Sequence, residues 1–500
     1  MRDLNHSLRT FTILASLTSL DLVRRLLPLA IRIARLAADF RRGTVTPDAT
    51  FHFEIELQNL LREVGRFIVQ ETLQRLEPDD PRHMPTRFLW DGEYYRRRRK
   101  SPMRNLNCLF GPIALRRCCY QPLETAGRCL FPLQLQLGVV GGVATPALAD
   151  KTARLSADLT QRQTLDRLRQ HNVRWGPRTL RKVAAAMAER MSEHRHAAQA
   201  ERLLAWLAEA EAGKGSRQFV LSVGRDGVMI PIVKSQTYKE AAAATVSVMH
   251  RSGKRLGTIY LGQTPEAGQT TISEELTRLL REVLSRWKGE APRLVYVTDA
   301  GHHPTVYFEE VLTRMYDPRG TGELLDWEWV VDYYHACQYI TKLGQAILGP
   351  GREAFTWAAK QRRVLKTKPG GVFRVLRSAG ALASIRGLTG SEEVYQTAYH
   401  YLHSRATKMD YVNYRRLRMP IGSGVTEAAC KIVFTQRFKQ SGMKWSVAGA
   451  GSILSLRVIA LSGLWSRVRR ATLQSHVLPQ PATPKGFLQE TGEIPGKTAA

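Results

Sequence analysis

Acidic residues are scarce in this chain. Its 500 residues include 44 aspartates and glutamates against 74 lysines and arginines, which gives a formal net charge of +30. This excess predicts a polyanionic partner and leaves DNA, RNA and anionic lipid open as its identity. A generally solvated basic surface is the alternative that charge alone does not exclude.

Cysteine is scarce as well. Six cysteines and no CxxC pair occur in the whole sequence. This number argues against a disulfide framework and favours a reducing, cytoplasmic location. Cys118, Cys119 and Cys129 are compatible with the remnant of a zinc ribbon. However, adjacent cysteines do not easily share one tetrahedral site, so buried packing thiols are the better interpretation.

Long apolar runs are also missing. No segment reaches the roughly 18 uninterrupted apolar residues of a membrane span, so we expect no membrane partner. Apolar residues still make up 43% of the chain, which is ample for globular cores.

Strand patterns begin in the middle of the sequence. Apolar runs at 219–223, 246–249 and 258–261 are separated by turn residues and precede a helix with apolar residues at 276–284. A further apolar run at 294–297 predicts a fourth strand. Three strands, a helix and a fourth strand are the order of a ribonuclease-H-like core. We therefore expect an α/β protein with a mixed sheet.

The pattern divides the chain into seven predicted segments. They are a helical N-terminal domain (1–90), a small β-rich basic segment (91–150), a helix-turn-helix-like DNA-binding region (151–212), the first part of the core (213–339), a helical insertion (340–415), a core helix followed by C-terminal helices (416–470) and a disordered tail (471–500).

Basic residues open the second helix of the predicted helix-turn-helix. Pro177 suits the first helical position, and Arg178, Arg181 and Lys182 follow it. This is where a recognition helix contacts DNA, although many unrelated helical pairs share the pattern. We predict DNA contact at these three residues.

Three carboxylates stand in contexts that suit a metal ligand. Asp226 follows an apolar strand in a Gly-Arg-Asp-Gly sequence, which also favours a simple hairpin turn. Asp299 ends the strand 294–297 and faces the sheet edge, unless it only caps a helix. Glu427 lies in the first turn of a helix, where a glutamate is favourable without any metal. Together they could hold two Mg²⁺ or Mn²⁺ ions.

Two further groups of residues accompany the carboxylates. Asp332 and His335 are one helical turn apart. In one interpretation Asp332 caps a helix and His335 packs in the core; in the other, both lie at the rim of the metal site. The segment after Glu427 combines basic and aromatic residues, which suits phosphate contact and base stacking. The alternative is an exposed helix face with Phe438 and Trp445 packed inward. The predicted DNA-binding residues of this segment are Lys431, Arg437, Lys439, Lys444 and Trp445.

Four segments together resemble bacterial insertion-sequence transposases of the DDE class, of the ISKra-type group allied to the Mutator superfamily. They are 224–228, 297–301, 332–336 and 421–445, the last continuing to Leu456 and Arg457. The run from Gly-Ser-Gly through Glu-Ala-Ala-Cys-Lys to Ser-Gly-Met-Lys-Trp is the most specific, and the likeness covers roughly residues 90 to 465.

The resemblance implies roles for particular residues. Asp226, Asp299 and Glu427 would be the catalytic, metal-binding triad, and Asp332 with His335 would match the family's Asp-x-x-His signature. It leaves open whether Asp299 or Asp332 is the second metal ligand. The cysteine-pair ribbon that often occurs in the family's N-terminal part is degenerate here.

The function that this resemblance implies is transposition. The protein would bind the inverted repeats at the ends of its element, cut with Mg²⁺, and join the freed 3′ hydroxyls to target DNA as a homo-oligomer in the bacterial nucleoid. A non-catalytic DNA-binding regulator or an inactive relic is one alternative. A ribonuclease-H-like nuclease without strand transfer is another, since a fold does not determine a reaction.

Overall fold

The computed structural model describes residues 19–233, 235, 237–475 and 480–481. The chain divides into two compact units, one formed by 1–187 with 473–500 and the other by 188–472. The segment 151–212, which the sequence suggested as one region, is therefore shared between the units. Most of the tail predicted to be disordered lies outside the described residues.

The first unit opens with two helices and continues with short strands. An N-terminal cap supports the second helix, because the Thr46 side chain accepts a hydrogen bond from Ala49 N. The elements are α1 Ser19–Arg42, α2 Pro47–Gln74, a 3₁₀ turn Pro81–His83, β1 Arg87–Trp90, β2 Glu93–Arg97, β3 Met103–Cys108, β4 Gly111–Arg116 and β5 Tyr120–Pro122.

Four more helices follow these strands. They are α3 Pro132–Gln136, α4 Pro146–Asp158, α5 Gln161–Arg169 and α6 Pro177–Ala212. Thr160 and Gln163 form a capping box at the start of α5. Helices α5 and α6 are the pair predicted as a helix-turn-helix, but α6 runs for 36 residues, well beyond the predicted end near Arg190.

The strands of the first unit enclose small apolar cores. Cys118 packs with Phe88, Tyr120 and Leu130 in one of them. Burial raises the pKa of the Cys118 thiol to about 12 and that of the neighbouring Cys119 to about 11. Both thiols therefore stay protonated at neutral pH, as packing thiols do.

The second unit is built on a five-stranded mixed sheet. Strands β6 Val220–Ile230, β7 Lys239–Met249 and β8 Arg255–Gln263 are antiparallel neighbours, and β9 Arg293–Thr298 and β10 Trp327–Val331 add parallel to β6. The order across the sheet is β10-β9-β6-β7-β8. The chain is thus a mixed α/β protein, as predicted.

Helices cover this sheet. On one face, α7 Thr270–Arg286 buries Leu276, Leu279, Leu280 and Val283, which recur at helical spacing. After β9 come α8 His302–Tyr307 and a π-helical turn Phe308–Leu312. A 3₁₀ turn, Ala267–Gln269, precedes α7.

The segment after β10 is helical. It contains α9 Tyr333–Leu348, α10 Arg352–Thr367, α11 Gly371–Arg386, α12 Glu392–Ser404, a 3₁₀ turn Ala406–Lys408 and α13 Tyr411–Arg416. The chain then returns to the other face of the sheet with α14 Gly424–Ala429, a π-helical segment Cys430–Thr435, α15 Gln436–Phe438, α16 Val447–Leu461 and α17 Trp465–Gln474.

A large apolar core joins these last helices to the sheet. Val228, Ile230 and Ala243 of the sheet pack against Phe434 and Leu454. A final short strand, β11 Gln480–Pro481, belongs to the first unit and pairs antiparallel with β1.

The length and composition of each helix were compared with those of a membrane-spanning helix. In the described part of the chain, no single helix is both long and apolar enough to cross a membrane. One bent pair, Val447–Leu461 with Trp465–Gln474 at 116°, passes the same criteria when its two helices are combined.

Candidate active site

Three neighbouring parallel strands each bring an aspartate to the same level of the sheet. Val223 of β6 pairs with Tyr296 of β9, so continuing the register by three residues sets Asp226 beside Asp299. Val331 of β10 pairs with Thr298, which puts Asp332 on the other side of Asp299. Carboxyl ends of parallel strands are where α/β sheets form their sites.

Asp226 lies within a strand rather than in a turn. The sequence suggested a strand ending at Val223, but β6 runs on to Ile230 and pairs Asp226 with Ala243. The Asp-Gly hairpin interpretation is therefore wrong. The preceding residue, Arg225, points to the opposite face, where it hydrogen-bonds Ser273 and stacks on Tyr307.

Asp299 lies in a tight turn directly after β9. Gly301 N donates to Asp299 Oδ1 at 2.9 Å, which ties the direction of the carboxylate to the path of the main chain. Ala300 between them has φ of 61°, in the left-handed region that a residue with a Cβ rarely adopts.

Glu427 reaches the sheet because a glycine lets its helix approach. A Cβ at Gly224 of β6 would lie 2.0 Å from Thr426 Oγ1. With no side chain there, Thr426 packs against β6 and its hydroxyl meets the Thr245 hydroxyl at 2.9 Å. Glu427, the next residue of α14, is thereby brought to the aspartates from the strands.

Electrostatics indicates that the three carboxylates lie close together. Burial and the Asp299 carboxylate, with a smaller contribution from Glu427, raise the pKa of Asp226 to about 6. Burial, Asp226, Asp299 and Glu427 all raise the pKa of the nearby Cys430 thiol. All these charges are negative, so the cluster of Asp226, Asp299 and Glu427, here called the carboxylate cluster, is a region of unbalanced anionic charge.

Cys430 contacts the cluster directly, and sequence reasoning missed it. Its protonated thiol donates to Asp226 Oδ2 at 3.4 Å, while Gly227 N donates to Oδ1 at 2.7 Å. Cys430 is three residues after Glu427, so the two lie on the same side of the helix. That spacing is the signal by which the sequence could have indicated the contact.

Asp332 has a different environment. It is fully buried and caps α9, with Oδ1 accepting from Tyr334 N and His335 N. Its Oδ2 accepts from both the main-chain N–H and the hydroxyl of Ser423. Both oxygens are thus occupied by donors of the protein itself.

Ser423 links Asp332 to Glu427. Its hydroxyl lies 2.9 Å from Glu427 Oε1, and its carbonyl accepts from Glu427 N in the first turn of α14. Burial, together with the Asp332 carboxylate beside it, raises the pKa of Glu427. Asp332 and Ser423, here called the Asp332 junction, therefore join the start of α9 to the start of α14.

His335 borders Glu427 and an aromatic group. The nearby imidazole lowers the pKa of the Glu427 carboxyl, against the larger effect of burial, which raises it. Its ring meets Tyr339 and Tyr401 edge-on at 5.4 and 5.7 Å between centroids. His302 and His303 begin α8, directly after the Asp299 turn, and His303 is 3.8 Å from Glu240.

The donor chemistry of the carboxylate cluster fits a hard divalent cation. Carboxylate oxygens are the ligands that Mg²⁺ and Mn²⁺ prefer, and a cation would relieve the mutual repulsion that raises the pKa of Asp226. Within the described ranges, no three or more His, Cys, Asp or Glu side chains are already arranged so that they could hold a metal ion. The carboxylates are near one another without forming a closed ligand cage.

The predicted DNA-binding residues fall into two classes. Six are exposed: Arg178, Arg181, Lys182, Lys431, Lys439 and Lys444. Arg437 and Trp445 are buried, at 2% and 8% exposure, with the guanidinium 5.0 Å from the centroid of the indole ring. Trp445 also pairs through its main chain with Pro231 and Val233 beyond β6, so the structure places these two predicted DNA-binding side chains in the protein interior.

No protein-family model matches the chain, and no curated protein matches it either.

Proposed function

We propose that this protein is a DDE transposase, which binds the inverted repeats of an insertion sequence and catalyses metal-dependent DNA cleavage and strand transfer. The observation that carries the proposal is the convergence of Asp226, Asp299 and Glu427 from two parallel strands and a helix. The net charge of +30 supports a polyanionic substrate. On this proposal the protein works as a homo-oligomer on DNA in the bacterial cytoplasm.

The proposal includes a ribonuclease-H-like fold for the second unit. Its support is the strand order, with three antiparallel strands followed by two strands that add parallel to the first on its other side. That fold arranges its five strands in this order. The helical segment between β10 and α14 then corresponds to an insertion before the final core helix.

Asp226, Asp299 and Glu427 would hold two Mg²⁺ or Mn²⁺ ions. When bound, such ions activate a water or a 3′ hydroxyl and stabilise the leaving oxygen. The residues around the cluster orient its ligands: the Cys430 thiol restrains Asp226, and the Ser423 hydroxyl, whose one proton is donated to Asp332, lies 2.9 Å from Glu427 Oε1. Asp332 is excluded from our ligand set because its oxygens already accept four hydrogen bonds.

DNA contact would come from the exposed basic residues. Lys431, Lys439 and Lys444 follow Glu427 along the chain, and Arg178, Arg181 and Lys182 open α6 in the first unit. Each lysine or arginine that neutralises a phosphate makes binding more sensitive to salt. We therefore expect end binding to weaken steeply as salt rises, and a flat response would remove DNA as the partner.

The test uses Glu427→Gln and DNA that carries the ends of the element. We expect Mg²⁺-dependent cleavage to be lost while end binding is retained, because glutamine keeps the shape and loses the charge. Loss of both would mean that Glu427 is structural.

The same assay separates the alternatives. Pre-cut ends and a supercoiled target are joined by a transposase and left unjoined by a nuclease without strand transfer. Wild-type protein that binds ends but does not cleave them in Mg²⁺ or Mn²⁺ would be a regulator or a relic.

A further inference from the structure

The end of the helical insertion is bonded to the turn that carries Asp299. The Tyr401 hydroxyl, on α12, donates to the main-chain oxygen of Asp299 at 2.8 Å. The Arg405 guanidinium, just beyond α12, donates to the main-chain oxygen of Ala300 at 3.2 Å. Tyr411 makes a similar bond to Val331 O at the end of β10, at 2.9 Å. The insertion thus reaches the ends of two neighbouring parallel strands, β9 and β10.

The Tyr401 and Arg405 bonds act on a strained piece of backbone. Ala300 holds φ of 61°, a conformation that costs free energy in a residue with a Cβ and persists only where surrounding contacts enforce it. Since Gly301 N fixes Asp299 Oδ1, a change in this turn also redirects the Asp299 carboxylate. Positioning of the carboxylate therefore depends on whatever holds the turn.

Tyr401 and Arg405 are themselves held rigidly. The Tyr401 ring is 7% exposed and stacks on Tyr339 with 3.8 Å between centroids and 10° between planes. The Arg405 guanidinium lies 4.5 Å from the centroid of the same ring. A hydroxyl on a buried ring that contacts both an aromatic ring and a cation has little freedom, so its bond to Asp299 O fixes a position.

We propose that Tyr401 and Arg405 are positioning residues that hold the Asp299–Ala300 turn in its strained form and so aim the Asp299 carboxylate into the metal site. The proposal rests on the function proposed above. It gives the helical insertion a direct role in the chemistry, because a segment 102 residues away in sequence sets the geometry of one metal ligand.

The experiment is a calorimetric Mn²⁺ titration of full-length protein, combined with cleavage of end-containing DNA. Tyr401→Phe removes the hydroxyl and keeps the stacked ring. We expect the Kd for Mn²⁺ to rise about three- to tenfold, as loss of one hydrogen bond predicts. Arg405→Ala should raise it by a similar factor. End binding and the unfolding midpoint should stay near wild-type values in Tyr401→Phe.

Tyr399→Phe is the matched control. Tyr399 lies on the same helix and stacks on Tyr395 and His403, away from the Asp299 turn. We expect its Mn²⁺ affinity to equal that of wild type. An equal loss in both variants, or no loss in Tyr401→Phe, would overturn the proposal.

A second variant tests the role of strain. Glycine adopts positive φ without steric cost, so the turn needs less restraint in Ala300→Gly. We expect Tyr401→Phe to weaken Mn²⁺ binding less in the Ala300→Gly background than in the wild-type background. Equal losses in the two backgrounds would contradict the role of Tyr401 in holding the strained turn. Wild-type protein that binds no Mn²⁺ would instead remove the proposed function itself.

Discussion

Two aspartates flank Asp299 in the sheet register and have opposite environments. Asp226 is half-buried among negative charges and, among the residues that the structure describes, accepts hydrogen bonds from Gly227 N and the weak Cys430 donor. Asp332 is fully buried and accepts from three main-chain N–H groups and a hydroxyl. Asp226 therefore has fewer donors to offset its charge than Asp332 has.

Under the proposed function, this difference distinguishes a metal ligand from a structural residue. A carboxylate that the protein leaves uncompensated favours a cation from outside, whereas one saturated by internal donors stabilises the fold. Both are aspartates beside Asp299 in the sheet register, so residue type and position in the register do not distinguish them. Asp332 matches the Asp-x-x-His signature of the transposases that the sequence resembles, and its contacts place it at the junction between α9 and α14.

Among the tests of this contrast between Asp226 and Asp332, replacement of Asp226 should have the largest effect. Asp226→Asn should reduce Mg²⁺-dependent cleavage about a thousandfold or more, since metal stabilisation of the transition state supplies several kcal/mol. The same variant should unfold at a higher temperature, because it removes an uncompensated charge. Cleavage assays and thermal unfolding without metal measure the two changes. A variant less stable than wild type would refute the view that the charge is unbalanced.

Asp332 should respond in the opposite way. Asp332→Asn places an amide where Ser423 N–H and its hydroxyl donate, so the free energy of unfolding should fall by about 2–3 kcal/mol. Urea unfolding measures this loss. Asp326→Asn is an exposed control on the same segment and should stay within about 0.5 kcal/mol of wild type. An Asp332→Asn protein of normal stability would break the comparison.

The pH dependence of stability should single out Asp226. Its folded pKa of about 6 is above the unfolded value of 3.8, so the folded state binds the proton more tightly. Stability is therefore highest below about pH 4 for this group, and should decline by about 2 kcal/mol as pH rises through about 6 in metal-free buffer. Urea unfolding of wild type and Asp226→Asn across pH 4 to 7 isolates this decline. Equal slopes of unfolding free energy against pH in the two proteins would count against the assignment of this decline to Asp226.

Gly224 tests the approach of α14. A Cβ in Gly224→Ala would meet Thr426 Oγ1 at 2.0 Å, so we expect a loss of about 1–3 kcal/mol and slower cleavage as Glu427 shifts. Gly424→Ala, in α14 itself, has open space around its Cβ and serves as the control. Thr426→Ala in the Gly224→Ala background should restore part of the loss. Unaltered unfolding and cleavage in Gly224→Ala would argue against the close packing.

Part of the fold and part of the candidate site could be predicted from the sequence. The apolar run before Asp299 predicts a strand that ends at the sheet edge, and β9 ends one residue before it. The helix beginning near Glu427 was also predictable. The sequence around Asp226 was misleading, because Asp-Gly is a strong hairpin signal. In the structure, pairing with β7 continues strand β6 through Asp226. At Asp226, strand pairing in the folded sheet therefore outweighed the local turn propensity.

Other features depend on distant contacts. Basic and aromatic residues around Arg437 and Trp445 have the composition of a nucleic-acid surface, but their stacking against each other buries both. Tyr401 and Arg405 meet the Asp299 turn across more than one hundred residues, and no local pattern predicts that contact. Cys430 differs, because its spacing from Glu427 made the contact accessible to sequence reasoning.

The most direct test of the central claim is a crystal structure of the full chain soaked in Mn²⁺, with anomalous scattering used to locate the metal. We predict two Mn²⁺ peaks coordinated by Asp226, Asp299 and Glu427, with Asp332 still bonded to Ser423. Metal bound by Asp332 and His335 instead, or no metal peak at the carboxylate cluster, would contradict the account.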